Sequence, residues 1–159
     1  CNSVRFNFNL NTILQVNLMT CGFEDQSIDT GRFVLSRINN EIYQFHHIRF
    51  DCIQGEQGEL VFEPSDVEYY FEPVTIQDSG TSILKNDLEN SEDGAGQIGF
   101  QLSNDGTNEM QYGKSNYYSF QHPHEGSNQI PLFIRPRTYG NNVSSGQIMS
   151  RVKIVVMYN

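Results

Sequence analysis

The stretch that most constrains the fold is Gly146-Gln147-Ile148-Met149-Ser150-Arg151-Val152-Lys153-Ile154-Val155-Val156-Met157-Tyr158-Asn159, fourteen residues that alternate in polarity. Period-two spacing puts Ile148, Val152, Ile154, Val156 and Tyr158 on one face, and Arg151, Lys153 and Asn159 on the other. The segment reads as a terminal β-strand with one face in a core.

Composition carries the same message. The chain has 159 residues, enough for one domain that buries roughly 70% of the surface its unfolded form exposes. It has 11 Phe and 8 Tyr but no Trp, and no stretch shows convincing helical periodicity, which favours an all-β protein. The net charge is −9 and the ten Lys and Arg are scattered singly, so no basic stripe exists to follow a phosphate backbone. Nucleic acid is not an expected partner. No apolar run approaches the roughly 20 residues of a membrane helix, and the first residues lack a signal-peptide core, so an exported form is expected to have lost its signal.

Strand-length segments recur between turn signals at 4–10, 13–19, 32–35, 42–50, 59–62, 67–76, 97–102, 117–120 and 130–134, followed by the terminal strand. Neither a repeat nor a linker divides them, which favours a single sandwich-like unit. Asn104-Asp105-Gly106 is a tight-turn signal, and the acidic, glycine-bearing run 86–96 reads as a mobile surface loop. Of the three cysteines, Cys21 follows one apolar run and Cys52 closes another, so two strands could bring them together; buried free thiols are the alternative. Their bond would stabilise the fold by roughly 3–4 kcal/mol in the chain-entropy model. Cys1 is left over, as a terminal thiol, an intermolecular link or a lipidation site.

A glycine fourteenth from the end, alternating apolar residues and a penultimate tyrosine make this chain resemble the pilins assembled by the bacterial chaperone–usher route. Three further stretches match the family in order: Phe45-His46-His47-Ile48-Arg49-Phe50-Asp51-Cys52, Gly96-Gln97-Ile98-Gly99-Phe100-Gln101-Leu102, and Asn128-Gln129-Ile130-Pro131-Leu132-Phe133. The resemblance spans essentially the whole chain. It implies an incomplete immunoglobulin-like β-sandwich that lacks its seventh strand and is completed by a donor strand. On that pattern, residues 1–20 hold an N-terminal donor extension and the start of the first strand, and residues 21–159 form the pilin domain.

The resemblance also assigns roles. Gly146, Val152, Ile154, Val156 and Tyr158 would form the wall of an acceptor groove filled first by a periplasmic chaperone and then by a neighbouring pilin subunit. Val4, Phe6, Phe8 and Leu10 would be the donor residues for another subunit's groove, with Arg5, Asn7 and Asn9 facing away. An ordinary first strand within its own sandwich is the plainer reading of that segment. None of the four inward positions is small, whereas donor strands of the family often carry a glycine there. In the oxidising periplasm Cys21 and Cys52 are expected to pair, leaving Cys1 out.

The function expected from this pattern is a structural subunit, minor or tip-proximal, of a pilus displayed outside a Gram-negative cell after passage through the outer-membrane usher. The alternative is a fimbrial adhesin domain binding a host glycan or protein receptor through aromatic segments such as Asn116-Tyr117-Tyr118 and residues 67–71. No enzyme motif and no cofactor fingerprint occurs. His122-Pro123-His124 with His46-His47 is a conceivable metal set, but loop histidines without well-placed carboxylates more often face solvent, so no metal is expected. Asn142-Val143-Ser144 fits a glycosylation acceptor and reads as a turn before the last strand.

Overall fold

The computed structural model describes residues 2–12, 19–54 and 66–157, with side chains described for 21–53 and 66–157. The described chain is built almost entirely of strands: β1 (Asn2–Thr12), β2 (Met19–Gly22), β3 (Gln26–Phe33), β4 (Gln44–Gln54), β5 (Val67–Pro73), β6 (Ile98–Ser103), β7 (Tyr118–Phe120), β8 (Gly126–Thr138) and β9 (Ile148–Met157). Two short 3-10 turns, Leu35–Asn40 and Lys114–Asn116, interrupt them. One sheet has the order β3-β1-β9-β5-β7 and the other β2-β4-β8-β6. Every pairing between these strands is antiparallel except β1 with β9. Among the described residues no helix is long and apolar enough to cross a membrane.

Period-two burial explains the pairing of faces. In β4, Ile48, Phe50 and Cys52 point into the core while Phe45, His47, Arg49, Asp51 and Ile53 face outward. In β8 the buried set is Asn128, Ile130, Leu132, Ile134 and Pro136. Ile98, Phe100 and Leu102 of β6 join them, and Val67, Tyr69 and Phe71 of β5 face them from the other sheet, within one hydrophobic cluster. Aromatic contacts knit the layers together. Phe50 meets Phe120 edge-on at 5.0 Å and Phe23 at 4.9 Å, distances at which offset ring pairs are favourable.

Cys21 and Cys52 are bonded, and they lie directly opposite each other in the β2–β4 ladder. The pairing expected from their flanking strands is therefore present; Cys1 lies outside the described residues. The bond closes a loop of sequence separation 31 around β3 and fixes β2 to the centre of its sheet.

Several boundaries differ from the sequence expectation. The strand expected at 32–35 instead runs Gln26–Phe33, and Leu35 begins a 3-10 turn. Only Thr30 and Phe33 are buried in β3, so its sequence carries almost no alternation to read. Gly31 is needed there: its φ is +81°, and the ladder slips at that point, pairing Val4 with Gly31 and Arg5 with Asp29 so that Thr30 is an extra residue. The Asp29 carboxylate accepts the Gly31 N–H at 2.9 Å and holds the bulge. Strand β8 is longer than the expected 130–134, and β5 ends at Pro73, which cannot donate to a ladder. The expected strands at 13–19 and 59–62 lie outside the described residues, apart from Met19, which opens β2.

Run 86–96 is a surface loop, as expected, but it is tied down rather than loose. The Asn86 side chain is buried, with its Nδ2 donating to the carbonyls of Ala95 (2.8 Å) and Gln147 (2.9 Å). Its Oδ1 accepts from the backbone N–H of Leu88 (2.9 Å) and Met149 (3.0 Å). One amide thus closes the loop at both ends and pins it to the start of β9. The Asn104-Asp105-Gly106 turn is likewise internally bonded. Asp105 accepts from the N–H groups of Thr107 and Asn108, both at 2.8 Å, and from the Ser103 hydroxyl at 2.9 Å. Those bonds, above all the ones from Asn108, hold its carboxyl well below the usual carboxylate range.

Candidate functional site

Strand β9 is the centre of the site. Its inner face is formed by Ile148, Ser150, Val152, Ile154 and Val156, each at most 1% exposed. Met149, Arg151, Lys153 and Met157 alternate with them at intermediate exposure, and Val155 on that outer side is also buried. The face assignment expected from alternation therefore holds through residue 157; Tyr158 and Asn159 lie outside the described residues. Ser150 is the one polar member of the apolar row. Its hydroxyl donates to the Lys85 carbonyl at 2.8 Å, which satisfies a group that would otherwise be costly to bury.

Gly146 sits two residues before β9 in a conformation with φ of +152°. A Cβ there would come within 2.5 Å of the Ala95 nitrogen and 2.7 Å of the Asp93 carbonyl oxygen, both backbone atoms that cannot swing aside. Backbone does pass against backbone at this point, and only glycine fits. The neighbouring Gln147 N–H donates to the Asp93 carbonyl at 2.7 Å, and the Ala95 N–H donates to the Gln147 carbonyl at 2.9 Å. With the Asn86 latch, these bonds fix the angle at which β9 enters its sheet.

On one side β9 pairs antiparallel with β5, from Glu68 opposite Met157 to Pro73 opposite Val152. On the other it pairs in parallel with β1, from Val4 opposite Ile148 to Thr12 opposite Val156. The expected donor residues Val4, Phe6, Phe8 and Leu10 thus have their backbones opposite Ile148, Ser150, Val152 and Ile154 of the same chain. Within the single chain, the segment expected to serve a neighbour is a strand of its own sheet. The far side of β1 pairs with β3, from Asn2 opposite Phe33 to Phe8 opposite Gln26. Among the described strands β3 has no other partner. Strand β1 therefore occupies a slot whose walls are β3 and β9, and the β3 wall is the element that sequence patterning misplaced.

Other candidate groups fall elsewhere. One ring nitrogen of His46 is 3.0 Å from Gln44 Oε1, and burial holds the imidazole below its ordinary pKa with a further contribution from His47. His47 packs edge-on against Phe45. His122 adopts a positive φ of 55° and its N–H reaches Asp66 at 3.3 Å, while the His124 N–H donates to the Asn128 side chain. Among the described residues no group of three His, Cys, Asp or Glu could hold a metal ion. Of the aromatic segments proposed for a receptor, Tyr69 and Phe71 belong to the core and Tyr117 is 52% exposed. A shallow depression of about 340 Å³ is lined by Glu24, Asp25, Gln26, Ser27, Arg49 and Asp51.

No protein-family model matches the chain, and no curated protein matches it significantly.

Proposed function

We propose that the protein is a structural subunit of a chaperone–usher type pilus, an incomplete immunoglobulin-like sandwich whose slot between β3 and β9 is the joint between subunits. One observation carries the reading: the slot is filled by a strand that the remaining framework does not depend on for its other ladders. Residues 2–12 lie outside the loop closed by Cys21–Cys52. The ladders β4–β8, β6–β8, β2–β4 and β5–β9 do not use them. Withdrawing β1 would strip one side of an apolar strand and orphan the N–H and C=O groups of β9 and β3, a state that demands a replacement strand. A strand lent by a periplasmic chaperone, and later by another subunit, meets that demand by β-augmentation.

The disulfide fits an oxidising compartment such as the periplasm or the cell exterior. The test is purification of the tagged chain from periplasm with identification of whatever co-purifies. A strand-lending chaperone should accompany wild type and Phe8→Asp, and only Phe8→Asp should fail to pass into fibres. Ile154→Asp should lose the chaperone. Normal fibre entry by Phe8→Asp would sink the proposal.

A second reading, a receptor-binding adhesin domain, is favoured by one patch. Phe45 is 53% exposed on the outer face of its sheet, 5.0 Å from Phe133 and 4.6 Å from His47. Beside it the Arg135 guanidinium lies 4.0 Å over the Tyr43 ring and its Nε donates to Gln101 Oε1 at 2.7 Å. Binding to a glycan array that is lost in Phe45→Ala would favour this reading.

A further inference from the structure

The outer face of the β2-β4-β8-β6 sheet carries more than an exposed ring. Arg135 and Arg137 stand two residues apart on the outward side of β8, in a chain whose net charge is −9. Neither guanidinium makes an ion pair with a carboxylate of the described residues. Arg135 donates through its Nε alone, to Gln101 Oε1 at 2.7 Å, and lies 4.0 Å over the Tyr43 ring. Gln101 is only 6% exposed, and its Nε2 donates to Glu109 Oε2 at 2.7 Å and to Ser82 Oγ at 3.1 Å. A buried, fully bonded amide therefore sets the angle of the guanidinium, and both terminal nitrogens of Arg135 are left without an acceptor among the described residues. Arg137 spends Nη1 on the carbonyls of Ile38, Glu41 and Pro136, which leaves its Nε and Nη2 unmatched in the same way.

The carboxylates nearby are already engaged. Glu109 Oε2 accepts from Ser82 and Gln101, Asp105 accepts from Ser103, Thr107 and Asn108, and Glu41 acts on Arg137 only from beyond ion-pair distance. What the face offers is a surplus of oriented cationic donors, the complement of a planar anion. Beside them lies an apolar platform. Phe45 is 53% exposed and leans on Phe133, whose ring is seated by the turn at Gly106, where a Cβ would come within 3.0 Å of it. Phe133 and Arg135 are two residues apart on one face of a strand, a spacing of ~7 Å. From this juxtaposition we infer that the face binds an acidic saccharide, with a sugar ring laid on Phe45 and its carboxylate held by Arg135 and Arg137. The inference rests on the receptor-binding reading and is independent of strand exchange. An acidic peptide suits the site less well, because strand addition needs an open sheet edge. The edge beyond Arg135 is closed: Leu84 pairs with Phe100, and the Met110 N–H donates to the Leu102 carbonyl at 2.7 Å.

The experiment uses the full-length wild-type chain and three probes: oligosaccharides ending in glucuronic acid, the same oligosaccharides ending in glucose, and an acidic peptide. Titration calorimetry should show the uronic acid member bound about tenfold or more tighter than its glucose counterpart, with the advantage shrinking as salt rises. Arg135→Gln should erase that preference while glucose-ended binding stays. Arg135→Lys should restore only part of it, since an ammonium lacks the fork. Phe45→Ala should weaken both sugars alike. The comparison of the two sugars on wild type stands even if an Arg135 variant folds poorly. Equal affinity for the two sugars, or tighter binding of the peptide, overturns the inference and leaves the receptor-binding reading standing. If none of the three probes binds, both fall.

Discussion

Ile154 is the position at which the groove wall is best tested, because it lies mid-strand, is 1% exposed and stands between Phe71 of β5 and Leu10 of β1. Truncating it to alanine removes three buried carbons and leaves a cavity, which should cost about 2–5 kcal/mol. Replacing it by aspartate adds an unpaired carboxylate inside the core, at several further kcal/mol. Total stability is expected to be about 5–15 kcal/mol, so Ile154→Ala should fold with a lowered urea midpoint and Ile154→Asp should fail to fold without help. The adjacent Lys153 points the other way, opposite Glu72, and Lys153→Ser should cost no more than about 1 kcal/mol. Urea denaturation of purified Ile154→Ala and Lys153→Ser, followed by near-ultraviolet circular dichroism, reads both effects, and Ile154→Asp should give no native near-ultraviolet signal. A loss below about 1 kcal/mol in Ile154→Ala, or an equal loss in Lys153→Ser, would refute the face assignment on which the groove is argued.

Replacing Cys21 and Cys52 together by alanine should lower stability by about 4 kcal/mol, the chain-entropy value for a separation of 31 residues, with a steeper urea dependence from the more expanded unfolded chain. Asn86→Ala should cost about 3 kcal/mol or more, since the Ala95 carbonyl and the N–H groups of Leu88 and Met149 lose their bonds to Asn86 together, while the Gln147 carbonyl keeps the Ala95 N–H; equilibrium unfolding of a variant no weaker than wild type would show the latch to be idle. Tyr139 donates its hydroxyl proton to Glu89 and accepts the Asn86 N–H, and burial above all pushes its pKa up to about 12. A raised pKa favours the protonated fold, so its contribution is complete below pH 10 and is lost as pH climbs from there through about 12. Tyr139→Phe should therefore shallow the alkaline decline of the urea midpoint, and an unchanged slope would count against the assignment.

How much of this was legible depended on burial. Strands with one core-facing side announced themselves, as the rows of β9 and the Ile48-Arg49-Phe50-Asp51-Cys52 run show, because period two is written wherever alternate residues must be apolar. Strand β3 was illegible for the same reason, since Gln26, Ser27, Asp29 and Arg32 carry no apolar alternation and the bulge at Thr30 shifts the register halfway along. The Asn86 latch left no local signal: one asparagine in an acidic loop looks like any other until it is seen to bridge residues 61 and 63 positions away. Gly146 was readable as a close approach, but that Asp93 to Ala95 supply the approaching backbone follows only from tertiary structure. The location of β1 was the harder problem, because an alternating strand fits its own sheet as well as a neighbour's.

Topology gives that last ambiguity an observable. Strand β3 is held in its sheet through β1 alone among the described strands, whereas β9 keeps β5 and β4 keeps both β2 and β8. Opening β1 therefore leaves β3 without a ladder, joined to β4 by the Gln26 side chain on the Arg49 backbone (2.6 and 3.0 Å) and by Gln44 on the Thr30 carbonyl (3.0 Å), while the disulfide and the β4–β8 ladder, nine residue pairs from Gln44–Ile134 to Cys52–Gly126, stay in place. Such an opening exposes far less apolar surface than global unfolding and should have a smaller free energy. Hydrogen exchange should then show the amides of β1 and β3 exchanging together, as one cooperative unit, well before those of β4 and β8. Wild type should take up a 2–12 peptide at the rate of that opening, levelling off as peptide concentration rises. If β3 stays protected after β1 has exchanged, the slot has a wall that does not need its strand. If β1 exchanges only when β4 does, the strand is an integral part of the core, and exchange between subunits has no open state through which to proceed.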